Sequence, residues 1–249
     1  MIRIAALGDC HFDVGSKDEL APYLSRLRYE ADLLLLAGDL TRSGRLAEGE
    51  TLAHELRGCP VPVVATFGNH DYHFDQQEAI AKVLRDVGVT VLERQSVVIN
   101  INEHHIGVVG AKGFGGGFPG ACASEYGEPE MKSFIRHTKH VAEDIGRLLT
   151  ELDTPYKVAL LHYAPIEQTL LGERKEIYPF LGSYLMAEAI DEAGADIIFH
   201  GHAHRGTEKG VTAGGIPVRN VAQPVLGHVF NIYTLDKEGS LLTHAPARA

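Results

Sequence analysis

Val61-Pro62-Val63-Val64-Ala65-Thr66, followed by Phe67-Gly68-Asn69-His70-Asp71, is the stretch on which the fold turns. The apolar run reads as a buried strand, and the residues after it are poor strand formers. A carboxamide and an imidazole placed where a buried strand ends call for a chemical reason. Metal coordination would supply one, with Asn69 and His70 as candidate residues of a site.

Working outward, the same arrangement recurs. Ile2-Arg3-Ile4-Ala5-Ala6-Leu7 is a short buried strand that stops at Gly8-Asp9-Cys10-His11. In extended backbone Asp9 and His11 leave one side and Cys10 the other, which marks Cys10 as a small buried residue. Asp32-Leu33-Leu34-Leu35-Leu36-Ala37 is too uniformly apolar for a one-sided strand, as expected in a sheet covered on both faces, and it ends in Gly38-Asp39. Later, Lys157-Val158-Ala159-Leu160-Leu161 ends in His162, and Asp196-Ile197-Ile198-Phe199 ends in His200-Gly201-His202-Ala203-His204.

Helical spacing falls between these runs, over 17–30, 43–56, 76–87, 130–152 and 183–193. Further strands are expected at 89–92, 97–101, 105–110, 218–222 and 229–235, with Asn102-Glu103 as a tight turn. The order β-α-β-α-β followed by antiparallel-looking strands predicts an α/β fold with a mixed sheet, and 249 residues form one domain, 1–249. No leader or spanning segment is evident, and three scattered cysteines make neither a disulfide framework nor a thiolate zinc site, so a cytoplasmic protein without a membrane is expected. A net charge of −10 argues against a nucleic-acid partner held by phosphate neutralisation. Nothing in the sequence sets an oligomeric state.

Five strand ends thus carry Asp9/His11, Asp39, Asn69/His70, His162 and His202/His204. In open α/β sheets, sites form outside the carboxyl ends of strands, so these groups can converge across the chain. Carboxylate, carboxamide and imidazole donors suit two divalent ions of Mn, Fe, Zn, Co or Ni, with Mn or Fe favoured. Two such ions bring four positive charges against two aspartates, leaving about +2 for a phosphate anion. Ions about 3.5–4 Å apart clamp a phosphoryl group and activate a water for in-line attack, with one carboxylate bridging them; Asp39 is the choice.

Taken together, Asp9-Cys10-His11, Gly38-Asp39, Gly68-Asn69-His70-Asp71, His162 and Gly201-His202-Ala203-His204 resemble the five blocks of the calcineurin-like metallophosphoesterase superfamily, in that family's order. The resemblance implies a four-layer αββα sandwich with mixed sheets and a dimetal site at strand carboxyl ends. It implies one metal held by Asp9, His11, Asp39 and His204, and another by Asp39, Asn69, His162 and His202. The catalytic group would be His70, on the leaving-group side of the phosphate, with Asp39 and Asn69. Leu40-Thr41-Arg42-Ser43-Gly44 lacks the second aspartate and following arginine of the protein Ser/Thr phosphatases, so the chain looks instead like the small stand-alone phosphodiesterase-like members. Ala203 replaces a hydroxyl residue common between the last two histidines.

The function expected is hydrolysis of phosphodiesters or nucleotide-like small-molecule phosphate esters by metal-activated water. A small-molecule phosphomonoesterase and a non-catalytic metal- or partner-binding protein are the rivals. The binding protein would have lost ligands or His70, and this chain keeps them. Arg42, Asp71, His73 and Phe114 are candidate residues of a substrate rim. For Asp71 a capping role stands beside one of orienting His70, and Arg42 reads equally as a solvated side chain. His200 reads as packing, and His137 with His140 as a solvated helix face. The glycine-rich stretch 112–129 is either a substrate lid or rim or a mobile connector, since its glycines lack the spacing of a nucleotide loop.

Overall fold

β1 (Ile2–Leu7) and β2 (Leu33–Ala37) lie side by side and parallel, with Ile4 opposite Leu33 and Leu7 opposite Leu36, in a computed structural model that describes residues 1–16, 18–101, 103–236 and 242–244. α1 (Ala21–Glu30) joins them; α2 (Leu46–Leu56) leads to β3 (Val63–Thr66), and α3 (Gln77–Asp86) to β4 (Val89–Leu92). β3 and β4 extend the parallel set. The chain then turns to a second sheet through the antiparallel pair β5 (Gln95–Ile101) and β6 (His104–Ala111). A two-residue hairpin, β7 (Gly117–Phe118) with β8 (Ala121–Cys122), precedes the long α4 (Pro129–Glu151) and β9 (Tyr156–Leu161), which is parallel to β6. After the short α5 (Tyr178–Leu181), α6 (Tyr184–Ala193) leads to β10 (Ile197–His200), parallel to β9. β11 (Lys209–Val211) and β12 (Pro217–Asn220) complete the second sheet. The short α7 (Gln223–Leu226) returns the chain to the first, where β13 (Asn231–Leu235) and β14 (Leu242–His244) lie beyond β1.

The strand orders are β14-β13-β1-β2-β3-β4 and β11-β12-β10-β9-β6-β5. Side-chain alternation shows how these sheets stack. In β2, Leu33 and Leu35 enter a core shared with Val158 and Leu160 of β9, while Leu34 and Leu36 enter a different core with Leu27 of α1 and Leu52 of α2. On the far side, Ala159 and Leu161 of β9 pack with Ile145 of α4 and Ile190 of α6. The layers are therefore helix, sheet, sheet, helix, a mixed αββα sandwich whose strands, apolar on both faces, are covered on both.

Local chemistry moves several boundaries inward from the sequence expectation. α1 starts at Ala21 because Pro22 opens the helix and Glu55 of α2 accepts the N–H groups of Asp18, Leu20 and Ala21 at 2.8–3.0 Å. α2 starts at Leu46, since the Glu48 carboxylate takes the Ser43 and Arg45 N–H groups before the helix begins. Of the expected turn at Asn102-Glu103, Asn102 lies outside the described residues. Among the described residues no helix is long and apolar enough to cross a membrane.

Leu35 is fully buried between the sheets. Leu35→Ala should lower unfolding free energy by roughly 3 kcal/mol through lost transfer energy and a residual cavity. Urea denaturation at fixed m-value reads this directly.

Candidate metal centre

The ends of β1, β2 and β3 in one sheet meet the ends of β9 and β10 in the other. Backbone and side-chain bonds cross between the sheets at this edge. The Gly8 N–H donates to the Val221 carbonyl at 2.8 Å, and the His162 Nδ1–H donates to the Ala37 carbonyl at 2.9 Å. The His202 N–H donates to both Asp9 carboxylate oxygens, at 2.9 and 3.0 Å. Asp9, Asp39 and His162 are buried, whereas His11, Asn69, His70 and His202 are half-buried and His204 is exposed, so the cluster opens to solvent on one side.

The backbone at these strand ends is unusual. Asp9, His11, Asp39 and His202 have φ of 56°, 45°, 48° and 69°, a left-handed conformation that residues with a Cβ seldom adopt. Asp9 and His11 thus converge through this bent backbone, not through the extended alternation expected from their spacing. Two neighbouring glycines are required by close approach. A Cβ on Gly68 would stand 2.0 Å from Asp39 Oδ1, and one on Gly201 would stand 2.2 Å from Asp9 Oδ2.

Donor atoms of Asp9, His11 and His204 lie within 4.8 Å of one another, as do those of Asp39, His162 and His202; His11, Asp39 and His70 form an overlapping third set. Asp39 stands between them. Its Oδ1 is 3.3 Å from His162 Nε2, and its Oδ2 is 3.9 Å from both His11 Nε2 and His70 Nε2.

The protonation pattern suits cation binding. Burial pushes His162 well below the usual imidazole pKa, lowers His11, and takes His202 to about 3. A carbonyl only accepts, so the Ala37 contact fixes the proton of His162 on Nδ1 and leaves a lone pair on Nε2. That lone pair faces Asn69 Oδ1 at 3.1 Å and Asp39 Oδ1 at 3.3 Å, three acceptor atoms converging without a proton among them. In the same way, His202 donates Nε2–H to the Phe180 carbonyl at 3.2 Å and keeps Nδ1 as an acceptor. This donor set fits hard and borderline divalent ions. On the other flank, burial raises the Asp9 carboxyl to about 6, against the hydrogen bond it accepts from His204 Nε2 at 2.7 Å; that bond raises His204.

His70 stands apart from the buried imidazoles. Its backbone N–H donates to Asp39 Oδ1 at 2.8 Å, its Nδ1–H donates to the Arg42 carbonyl at 2.7 Å, and its ring meets His11 edge-on at 4.7 Å. The structure corrects the placement of Asp71 at a substrate rim. Asp71 is fully buried, and its carboxylate accepts the N–H groups of Leu40, Thr41 and Gly68 and the Thr41 hydroxyl, tying the loop after β2 to the loop after β3. Its hydrogen bonds among the described residues go to these groups, and that of the His70 ring goes to Arg42. Arg42 pairs its exposed guanidinium with Asp13 at 3.1 Å and enters the site only through its carbonyl. His73 is exposed with its ring 4.8 Å from that of His70, and Phe114 is half-buried against Tyr163, their centroids 6.0 Å apart. His200 is turned away from the cluster, bonded to the Gly201 carbonyl and the Thr169 hydroxyl, and Cys10 sits in the core beneath α1 and α2.

Three further residues wall the site that the sequence reading did not single out: Tyr72, Lys112 and Tyr163. Lys112 follows the last residue of β6, and Tyr163 follows His162 at the end of β9. Position after a central strand was the available signal. The glycine-rich stretch is packed: the Thr138 hydroxyl donates to the Gly115 carbonyl, Gly116 and Gly117 donate to the carbonyls of Pro179 and Gly182, and Phe118 is buried.

The model of the calcineurin-like phosphoesterase family matches residues 2–206, and the chain belongs to that family of metal-dependent phosphoester hydrolases. Solved structures show the same fold at low identity. The phosphopantetheinyl hydrolase of Mycobacterium tuberculosis aligns at a TM-score of 0.60 with 16% identity over 88% of each chain. The TT1561 protein of Thermus thermophilus aligns at 0.60 with 16% identity over 98% of each. A putative 5'-nucleotidase from Staphylococcus aureus aligns at 0.55 with 17% identity, over 98% of this chain and 53% of that one. No curated protein matches the sequence.

Gly68→Ala should drive the new methyl into Asp39 and lower affinity for added Mn²⁺ at least tenfold in calorimetric titration, with little change in helix content. Metal binding also requires Asp9 without its proton. His204, raised by its bond to Asp9, must also be neutral. Affinity should therefore rise with pH through about 6 and continue to rise above it, and be weaker by more than about tenfold at pH 5 than at pH 7, measured by titrating chelator-treated protein at each pH.

Proposed function

We propose that this protein is a dinuclear metal-dependent phosphoesterase acting on phosphodiesters or nucleotide-like small-molecule phosphate esters. The observation that carries the reading is the Asp39 carboxylate, whose two oxygens face two different sets of donors. One ion would be held by Asp9, His11, Asp39 and His204, and the other by Asp39, Asn69, His162 and His202. Two ions so held supply the positive charge that binds a phosphate and acidifies the attacking water.

The chain's own residues do the rest. The hydrogen bonds to the Ala37 and Phe180 carbonyls hold His162 and His202 in the tautomers that present a lone pair to the cluster. Asp71 fixes the spacing of Asp39 and Asn69 by joining their loops. His70, anchored through Nδ1, sets Nε2 3.9 Å from Asp39 Oδ2 at the edge of the cluster, where its imidazolium form would donate Nε2–H to the oxygen of the leaving alcohol. The rings of Tyr72, Phe114 and Tyr163 offer flat apolar surface to the organic part of an ester. Three free cysteines suit a reducing compartment, and we place the protein in the cytoplasm.

Hydrolysis of bis(p-nitrophenyl) phosphate against p-nitrophenyl phosphate, with Mn²⁺ supplied, tests this. Diester turnover lost on chelation is expected, with His70→Ala lowering kcat by about 10²–10⁴ while binding the same metals. Monoester preference would identify a phosphomonoesterase. No turnover of either ester with two ions bound would favour a binding protein.

A further inference from the structure

Lys112 leaves β6 at the edge of the metal centre and sends a half-buried ammonium into a cage of aromatic rings. Its Nζ lies 5.3 Å from the ring centroid of Tyr72, 5.1 Å from that of Phe114 and 5.2 Å from that of Tyr163. Two of these rings belong to the site. Tyr163 packs against the His202 ring at 4.5 Å and the His162 ring at 5.7 Å, and Tyr72 is two residues beyond His70.

The ammonium is poorly compensated by the protein. Among the described residues no carboxylate lies within salt-bridge distance of Nζ, whose one hydrogen bond is a long contact of 3.5 Å to the Gly113 carbonyl. Glu93, in the bend between β4 and β5, uses its carboxylate on the Lys112 backbone N–H at 3.0 Å. Burial accordingly lowers the lysine pKa, while the charges of Glu93 and Asp39 hold it up, so the cation is within electrostatic reach of the cluster. An ammonium has three donors, and aromatic faces attract its charge without offering the oxygen acceptors that those donors can still take. A structural lysine would be expected to form an ion pair or reach bulk water; this one does neither fully.

We infer that Lys112 is a substrate-binding residue that donates to an anionic phosphoryl oxygen of the ester at the metal centre and favours substrates carrying two or more negative charges. The inference rests on the phosphoesterase reading and narrows its substrate class. A monoester dianion, or an ester bearing a second phosphoryl group, gains more from this cation than a simple diester monoanion does.

The test is calorimetric binding of inorganic phosphate to the Mn²⁺-loaded protein at pH 8, comparing wild type, Lys112→Met and Lys112→Arg. Lys112→Met should bind the same two equivalents of metal and lose about tenfold in phosphate affinity, the scale of a hydrogen bond to a charged group. Lys112→Arg should recover most of it. In turnover, Lys112→Met should raise KM for p-nitrophenyl phosphate more than for bis(p-nitrophenyl) phosphate, with a smaller change in kcat. Unchanged phosphate affinity at full metal content overturns the assignment. Should Lys112→Met fail to fold, reductive methylation of wild type decides: phosphate must slow labelling of Lys112 selectively, and unaltered labelling overturns the proposal. Weakened phosphate binding in Lys112→Met, with neither ester hydrolysed by wild type, would leave Lys112 in place and remove the hydrolase reading. Turnover by wild type with Lys112→Met unchanged would do the reverse.

Discussion

The arrangement depends on one buried hydrogen bond, from the His162 Nδ1–H to the Ala37 carbonyl. Ala37 is the last residue of β2 and His162 follows β9, so this bond joins the carboxyl ends of the central strands of two separate sheets. It also decides which ring nitrogen carries the proton. Sheet packing and the tautomer of His162 are therefore fixed by the same contact. The core between the sheets continues up to this contact, with Leu33 and Leu35 packed in one cluster with Val158 and Leu160.

Two kinds of order act on the cluster. Imidazoles are oriented by carbonyl acceptors, and carboxylates by backbone N–H groups: His202 N–H on Asp9, His70 N–H on Asp39, and the loop amides on Asp71. The contacts to His162 and Asp39 leave acceptor atoms facing the cluster, whereas those to Asp71 hold the loops that carry Asp39 and Asn69. A centre built this way is preorganised for positive charge by its backbone as well as by its side chains.

The strand ends were legible because an apolar run that stops at Gly-Asp, Gly-Asn-His or His-x-His places polar ligand types where burial alone would never put them. Cover on both faces of a sheet was legible because Leu33 to Leu36 are all apolar. That a second sheet supplies one of those covers followed only from the family resemblance, since apolar residues do not say whether a helix or a strand packs on them. Asp71 was not legible: a carboxylate beside a candidate histidine suggests a partner for that histidine, and only the fold shows the Leu40 and Thr41 amides arriving from another loop to claim it. Nor was the bend at Asp9 and His11 legible, since spacing in sequence does not report the sign of φ. Lys112 and Tyr163 escaped because a lysine and a tyrosine after a strand are ordinary until distant rings are brought beside them.

The left-handed backbone at Asp9, His11, Asp39 and His202 has a wider consequence. Each such residue costs on the order of 1–2 kcal/mol relative to glycine-like freedom. The centre is thus a place of concentrated local frustration inside an otherwise consistent fold. An ion bound only by the folded chain would offset that frustration by mass action, so added divalent metal would raise its unfolding free energy. Substitutions that relax these four positions would trade away metal dependence for robustness, which couples the evolution of stability in this protein to the retention of its chemistry.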